Sequence, residues 1–244
     1  MEFSKIKNKQ QSIARTFIIL SVAGTLITVL PFIDGLFLSG RWALVMVGLF
    51  FTLSCFIVAR MFTSRALKLE KLKSGEKLLA HLELDDRRLQ QYAESLRQSA
   101  KEKNKTLMWT KGIMFVVISI PFLFFMEADE MAGFLGIIAS VVLILFLFSR
   151  LMPIYDYRKN LKGDKQILIG EKYAYFNGYF HNWDFPLSGL VKIKVIEKPF
   201  KGLDVVYYYT TRTLRNTHEI QFPIPDNFDP DPLISQMKKA NRLK

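Results

Sequence analysis

The sequence predicts an α-helical membrane protein: four transmembrane helices in two antiparallel hairpins, then a cytoplasmic β-rich domain. Three observations predict it. Four apolar runs, Thr16–Ile33, Trp42–Ala59, Gly112–Met126 and Met131–Ser149, contain no Asp, Glu, Lys, Arg or His. A bilayer is crossed by about 20 mostly apolar residues, and the third run gains length from Thr106–Thr110 if Lys111 snorkels back to the headgroups. The 34 Lys and Arg residues gather in alternate connections rather than in all of them. The last third of the chain loses the long apolar blocks and breaks into short alternating segments divided by turn residues.

Charge sets the orientation. The N-terminal arm carries Lys5, Lys7, Lys9 and Arg15. Basic residues from Arg60 to Lys111 crowd the connection between the second and third runs. Arg150, Arg158, Lys159, Lys162 and Lys165 follow the fourth. By contrast, Pro31–Arg41 holds only Arg41 beside Asp34, and Glu127–Glu130 is acidic. Lys- and Arg-rich loops stay cytoplasmic, so both termini are expected on the cytoplasmic side, with two short hairpin loops outside. The net charge of +12 then reflects topology and attraction to anionic lipid, without nucleic acid. The first run is too long for a secretory signal, and no small-x-small site follows it. The single cysteine, Cys55, excludes a disulfide framework.

In order, residues 1–15 are a basic cytoplasmic arm, and 16–62 are the first transmembrane hairpin. Span 1 covers roughly Thr16–Leu36 with Pro31 near its outer end, and span 2 roughly Trp42–Phe62. Trp42 and Trp109 suit the two interfaces. Residues 63–106 are cytoplasmic helical stalks with an extended segment between them. Ser64–Lys73 continues span 2, and Ser74-Gly75 breaks the helix. Leu78, Ala80, Leu82 and Leu84 alternate with polar or opposite-face neighbours, a period of two. Asp85 or Asp86 caps a new helix carrying Leu89, Tyr92, Ala93 and Leu96 at helical spacing. Residues 107–152 are the second hairpin, with Pro121 in span 3 and Pro153 ending span 4.

Residues 153–244 form the β-rich domain. Gln166–Ile169 is a short apolar run. Asn177-Gly178 between aromatic residues is a strong hairpin signal. Leu187–Ile196 places Val191, Ile193 and Val195 on one face and Lys192 and Lys194 on the other. Val205–Thr211 and His218–Ile224 complete five or six strands, with turns at Lys201-Gly202 and Arg215-Asn216. Asp231 caps a last helix with Pro232 at its first position, and Leu233, Ile234, Met237 and Ala240 form its apolar face. About 90 residues of this kind can bury a core, so 154–244 are expected to fold by themselves. The isolated strand Lys77–Leu84 needs an edge to satisfy its backbone. It either docks on the domain, with Val205–Thr211 or Val191–Ile196 as candidate partners, or forms a helical turn between the stalks.

Gly170-Glu171-Lys172-Tyr173-Ala174-Tyr175, the strand Val191–Ile196, and Ile224-Pro225 followed by Leu233-Ile234 together resemble a bacterial pleckstrin-homology-like (PH-like) domain. Gly75–His81 also resembles a segment of bacterial membrane proteins that place such a domain after transmembrane hairpins. The resemblance implies an antiparallel sheet closed by a C-terminal helix. It brings no catalytic residues, because no activity is assigned to those families.

No residue pattern indicates catalysis, a cofactor or a metal. His81, His181 and His218 lack metal-ligand spacing and have no Cys partner. There is no G-x-S-x-G and no glycine-rich phosphate loop. Asp85-Asp86 reads as a helix start, and Asp226, Asp229 and Asp231 read as a turn and a cap. No Asp, Glu, Lys, Arg or His lies inside the four apolar runs, and Asp34, Arg41 and Lys111 sit at their borders, which argues against a transporter. Gly133 and Gly136 fall short of a G-x-x-x-G pair. Lys192, Lys194, Lys198 and Lys201 are the candidates for contact with anionic lipid. The expected function is a non-catalytic interaction or assembly module with membrane lipids, an unidentified protein and a second copy of the chain as partners. A channel subunit and a lipid-acting enzyme are the alternatives.

Overall fold

The computed structural model describes residues 6–33, 41–211 and 214–243. Four of its helices are long and apolar enough to cross a membrane. They are α1 (Lys9–Val29, continued by a 3-10 turn over Leu30–Phe32), α2 (Arg41–Lys73), α3 (Asp86–Leu123) and α4 (Ala128–Leu161). α1 begins within the stretch expected as an arm, because the Asn8 side chain accepts the Gln11 N–H and caps it. The expected outer end of span 1, with Asp34 and Leu36, lies outside the described residues.

α2 and α3 run unbroken from apolar segment into stalk, over 33 and 38 residues. At 1.5 Å per residue they are about 50 and 57 Å long, well beyond a hydrocarbon layer of about 30 Å. Asp85 caps α3, its carboxylate accepting the Arg88 N–H at 2.8 Å. Pro153 does not end α4, which continues to Leu161. Proline removes one helical donor, but the turns beyond it are held from outside. The Arg97 guanidinium stacks on Tyr157 at 5.2 Å, and the Asn177 amide donates to the Asn160 carbonyl at 2.7 Å.

α1 and α2 pack closely because two glycines let them. A Cβ on Gly24 would stand 2.6 Å from Thr52 Oγ1, and one on Gly48 would stand 2.5 Å from Thr28 Oγ1. Backbones that approach through small residues gain dispersion contacts. A Cβ on Gly133 or Gly136 would meet nothing within 4 Å beyond its own stretch of helix among the described residues.

Seven described strands form two antiparallel sheets. β1 (Leu78–Glu83), β2 (Gln166–Gly170), β3 (Tyr173–Phe176) and β4 (Tyr179–Asn182) make one, in that order. β5 (Ser188–Ile196), β6 (Gly202–Thr211) and β7 (Leu214–Pro223) make the other, and α5 (Asp231–Ala240) follows. β1, from the connection between α2 and α3, is therefore a strand of the C-terminal sheet domain. Its partner is β2, with His81 opposite Leu168 and Leu82 opposite Ile167, not β5 or β6. No helical turn forms there.

Three local readings change. A bulge between Leu190 and Lys192 turns Leu190 into the core and leaves Val191 exposed, as an extra residue shifts the alternation. Arg215 and Asn216 lie within β7, opposite Thr210 and Tyr209. Arg215 stacks over Tyr208 at 3.9 Å, and residues 212–213, between β6 and β7, lie outside the described residues. Asp231 is the first residue of α5 rather than its cap, and Asp229 accepts its N–H at 3.1 Å.

The main core lies between the two sheets. Leu82, Leu84, Leu89 and Tyr92 enter it together with Ile167, Ile169, Phe176, Trp183, Leu203, Val205, Phe222, Leu233 and Met237. The opposite face of the four-stranded sheet builds a second core. There Leu168, Tyr173, Tyr175 and Phe180 pack on Leu69 and Leu72 of α2 and on Ile6.

Candidate anion-binding cleft

The four lysines expected to meet lipid are split by their surroundings. Lys192, Lys194 and Lys198 are exposed, but Lys194 pairs with the buried Asp204 carboxylate at 3.3 Å. Lys201 donates to the Asp226 carbonyl at 3.1 Å. Two of the four charges thus serve the domain itself.

Other cations tie the stalks to the sheet. Arg65 of α2 donates to the Phe180 carbonyl at 2.8 Å. Lys68 pairs with Asp184 at 3.0 Å, and Lys172 joins the same carboxylate. These two ammoniums outweigh partial burial and hold the Asp184 pKa below the usual carboxylate range. From α3, Arg88 pairs with Asp226, whose pKa is likewise lowered by that bond. Asp86 pairs with Lys165 at 2.7 Å.

His181 and His218 come together across the sheets, their rings 6.0 Å apart. Burial first, then the neighbouring His218 and Arg65, pushes the His181 pKa down to about 3. It stays neutral at ordinary pH. Among the described residues no three of His, Cys, Asp and Glu gather as a metal site would require.

A basic cleft of about 580 Å³ is the site that the sequence reading missed. It starts from the β3–β4 turn, where Asn177 and Gly178 both take positive φ, 48° and 93°, as a type I′ turn demands. The buried Asn177 amide donates to the Asn160 carbonyl at 2.7 Å, an acceptor near the end of α4 that also takes the Gly163 N–H at 3.2 Å. A Cβ on Gly163 would overlap the Asn177 side chain. The turn is thereby pinned to α4. The bare Gly178 leaves room for Lys9, whose Nζ stands 3.1 Å from where a Cβ would be.

Lys7 and Lys9 line the cleft from the N-terminal segment, and Arg158, Lys159 and Lys162 from the end of α4. A helix C-terminus favours such cations. Among the described residues none of the five has a carboxylate within ion-pairing distance. Asp164, the one acid in the lining, accepts the Tyr175 hydroxyl and the Gln166 N–H at 3.3 Å. Burial and that carboxylate push the Tyr175 pKa up, so the phenol keeps its proton and holds Asp164. Lys159 rests over the Tyr179 ring at 5.1 Å. The arrangement suits an anion: convergent N–H donors, a net positive field and one internally occupied carboxylate.

Neither family models, nor curated proteins, nor solved structures give a match to this chain.

Proposed function

We propose that the chain is a bacterial inner-membrane protein with both termini in the cytoplasm, presenting a PH-like domain as a non-catalytic interaction or assembly module. The observation that carries this reading is the seating of the sheet domain. β1 enters its sheet from between the hairpins, and α2 and α3 each pack on it. A domain held this way takes a fixed place and orientation beside the helices, which is what a scaffold requires.

Further support comes from outward-facing Ile19, Leu26, Phe50, Phe56, Val117 and Phe148 on the four helices. Apolar faces of this extent suit lipid rather than water. Two antiparallel sheets followed by a C-terminal helix suit the PH-like reading. A groove between α3 and α4 is lined by apolar side chains such as Ile113, Val116, Leu135 and Val142, unlike a pore. Cysteine labelling from outside intact cells tests the placement in a Cys55→Ala background. A probe at Asp129 should react and one at Lys198 should not. Reaction at Lys198 contradicts the orientation. In situ crosslinking from Lys198→Cys should trap a protein in a defined ratio to the chain, and only lipid adducts there would contradict the module reading.

A further inference from the structure

We infer that the basic cleft binds the phosphate of an anionic lipid headgroup. The inference rests on the membrane-spanning reading above. Its chemistry begins with charge. Lys7, Lys9, Arg158, Lys159 and Lys162 converge on one space without a carboxylate partner among the described residues, and Asp164 is taken up by Tyr175. Five cations that share one space repel one another, and an anion bound among them relieves that repulsion. Phosphate matches the donors available, because Lys supplies point charges and Arg a two-pronged fork.

Position selects a lipid rather than a soluble phosphate. The first apolar run begins at Thr16, seven residues after Lys9 in the same helix. That is about 10 Å along the axis. Arg158 follows Met152 by six residues of α4, about 9 Å. Both arms of the cleft therefore stand at headgroup depth, just beyond the hydrocarbon. The exposed Tyr155 ring, also in the lining, fits that interface. The cleft is built before any ligand arrives, since Asn177 already locks the turn to α4. The site differs from the lysines of β5 in being concave and made from three separate chain segments.

The test uses the full chain reconstituted in nanodiscs of phosphatidylcholine with increasing phosphatidylglycerol, with retained lipid counted by native mass spectrometry. Wild type should retain phosphatidylglycerol selectively. Arg158→Ala with Lys159→Ala should weaken retention about 30-fold. That equals about 2 kcal/mol at 1.4 kcal/mol per decade, matching two cations near the headgroups. Lys7→Ala with Lys9→Ala, from a different segment, should weaken it similarly. Lys192→Ala with Lys198→Ala removes the same charge and should change it less than about threefold. Equal loss in that control, or no loss in either cleft pair, overturns the inference. Displacement of the lipid by millimolar inorganic phosphate would assign the cleft to a soluble anion and overturn the lipid source. Carbonate extraction of the chain from native membranes separates the two levels. Release into solution sinks the membrane reading, whereas retention with no selective lipid sinks only the cleft.

Discussion

The two faces of the four-stranded sheet do different jobs. One face sends Ile167, Ile169, Ala174 and Phe176 toward the three-stranded sheet, as in any two-layer domain. The other sends Leu168, Tyr173, Tyr175 and Phe180 onto Leu69 and Leu72 of α2. Water would ordinarily cover that second face. Here a helix stalk replaces it, so β2 and β3 are buried on both sides. The first face makes a domain, and the second makes it part of a larger body. Each stalk takes one side, since Leu89 and Tyr92 of α3 pack on the first face's side.

The largest effect is expected from cutting the domain out. Residues 154–244 alone lack Leu82, Leu84, Leu89 and Tyr92, four core side chains. At about 1.5–3 kcal/mol for each, their loss approaches the whole stability of a small domain. The isolated segment should show no cooperative melt. Joining residues 78–99 to it through a flexible linker should restore one. This revises the expectation that 154–244 suffice, and a cooperative melt of the bare segment would restore that expectation.

Substitutions at the stalk contact should separate the two faces. Leu72 is fully buried, so Leu72→Ala should cost about 2–5 kcal/mol in the full chain. Phe180→Ala, on the sheet side of the same contact, should cost a similar amount in the full chain and less in the linked 78–99/154–244 protein, which has no α2 to pack on that face. Equal effects of Phe180→Ala in the two proteins would mean that the α2 contact adds nothing to that face.

Acid should weaken the first face. The His181 pKa is depressed to about 3 in the folded chain, against about 6.5 unfolded. The unfolded chain then binds the extra proton between those values. Stability is complete above about pH 6.5 and falls toward pH 3, by at most about 1.4 kcal/mol per pH unit. Chemical denaturation at pH 7.5 and 5.0 measures this slope. His181→Phe should flatten it, and an unchanged slope would assign the acid sensitivity to another group. The smallest effect belongs to the exposed β5 surface, where Lys192→Ala should shift stability by less than about 0.5 kcal/mol.

Much of this arrangement was legible in the chain. The Asn177-Gly178 turn, the Asp85 cap and the unbroken stalks follow from local chemistry, and the period of two over Leu78–Leu84 announced a strand without an edge. What stayed hidden depends on distant contacts. The run through Pro153 is supported by Arg97 and Asn177, far away in sequence. The bulge at Leu190 breaks an alternation that looked regular. β1 prefers β2 to the more β-branched β6 because Leu82 and Ile167 share the main core. The cleft was masked because its lysines have a sufficient explanation in topology. Only the approach of residues 7–9, 158–164 and 177–179 distinguishes them from other basic residues.

The central claim is that β1 is a working strand of the sheet domain and ties it to both hairpins. Glu83 lies opposite Gln166 in the β1–β2 register. Opposed residues in an antiparallel pair have Cα atoms about 4.5–5.5 Å apart, within the range that a disulfide bridges. Glu83→Cys with Gln166→Cys, in a Cys55→Ala background and native membranes, should form an intramolecular disulfide under mild oxidation. Glu83→Cys with Lys192→Cys should not. If the first pair stays reduced while both thiols react freely with maleimide, β1 is not in that sheet and the account fails.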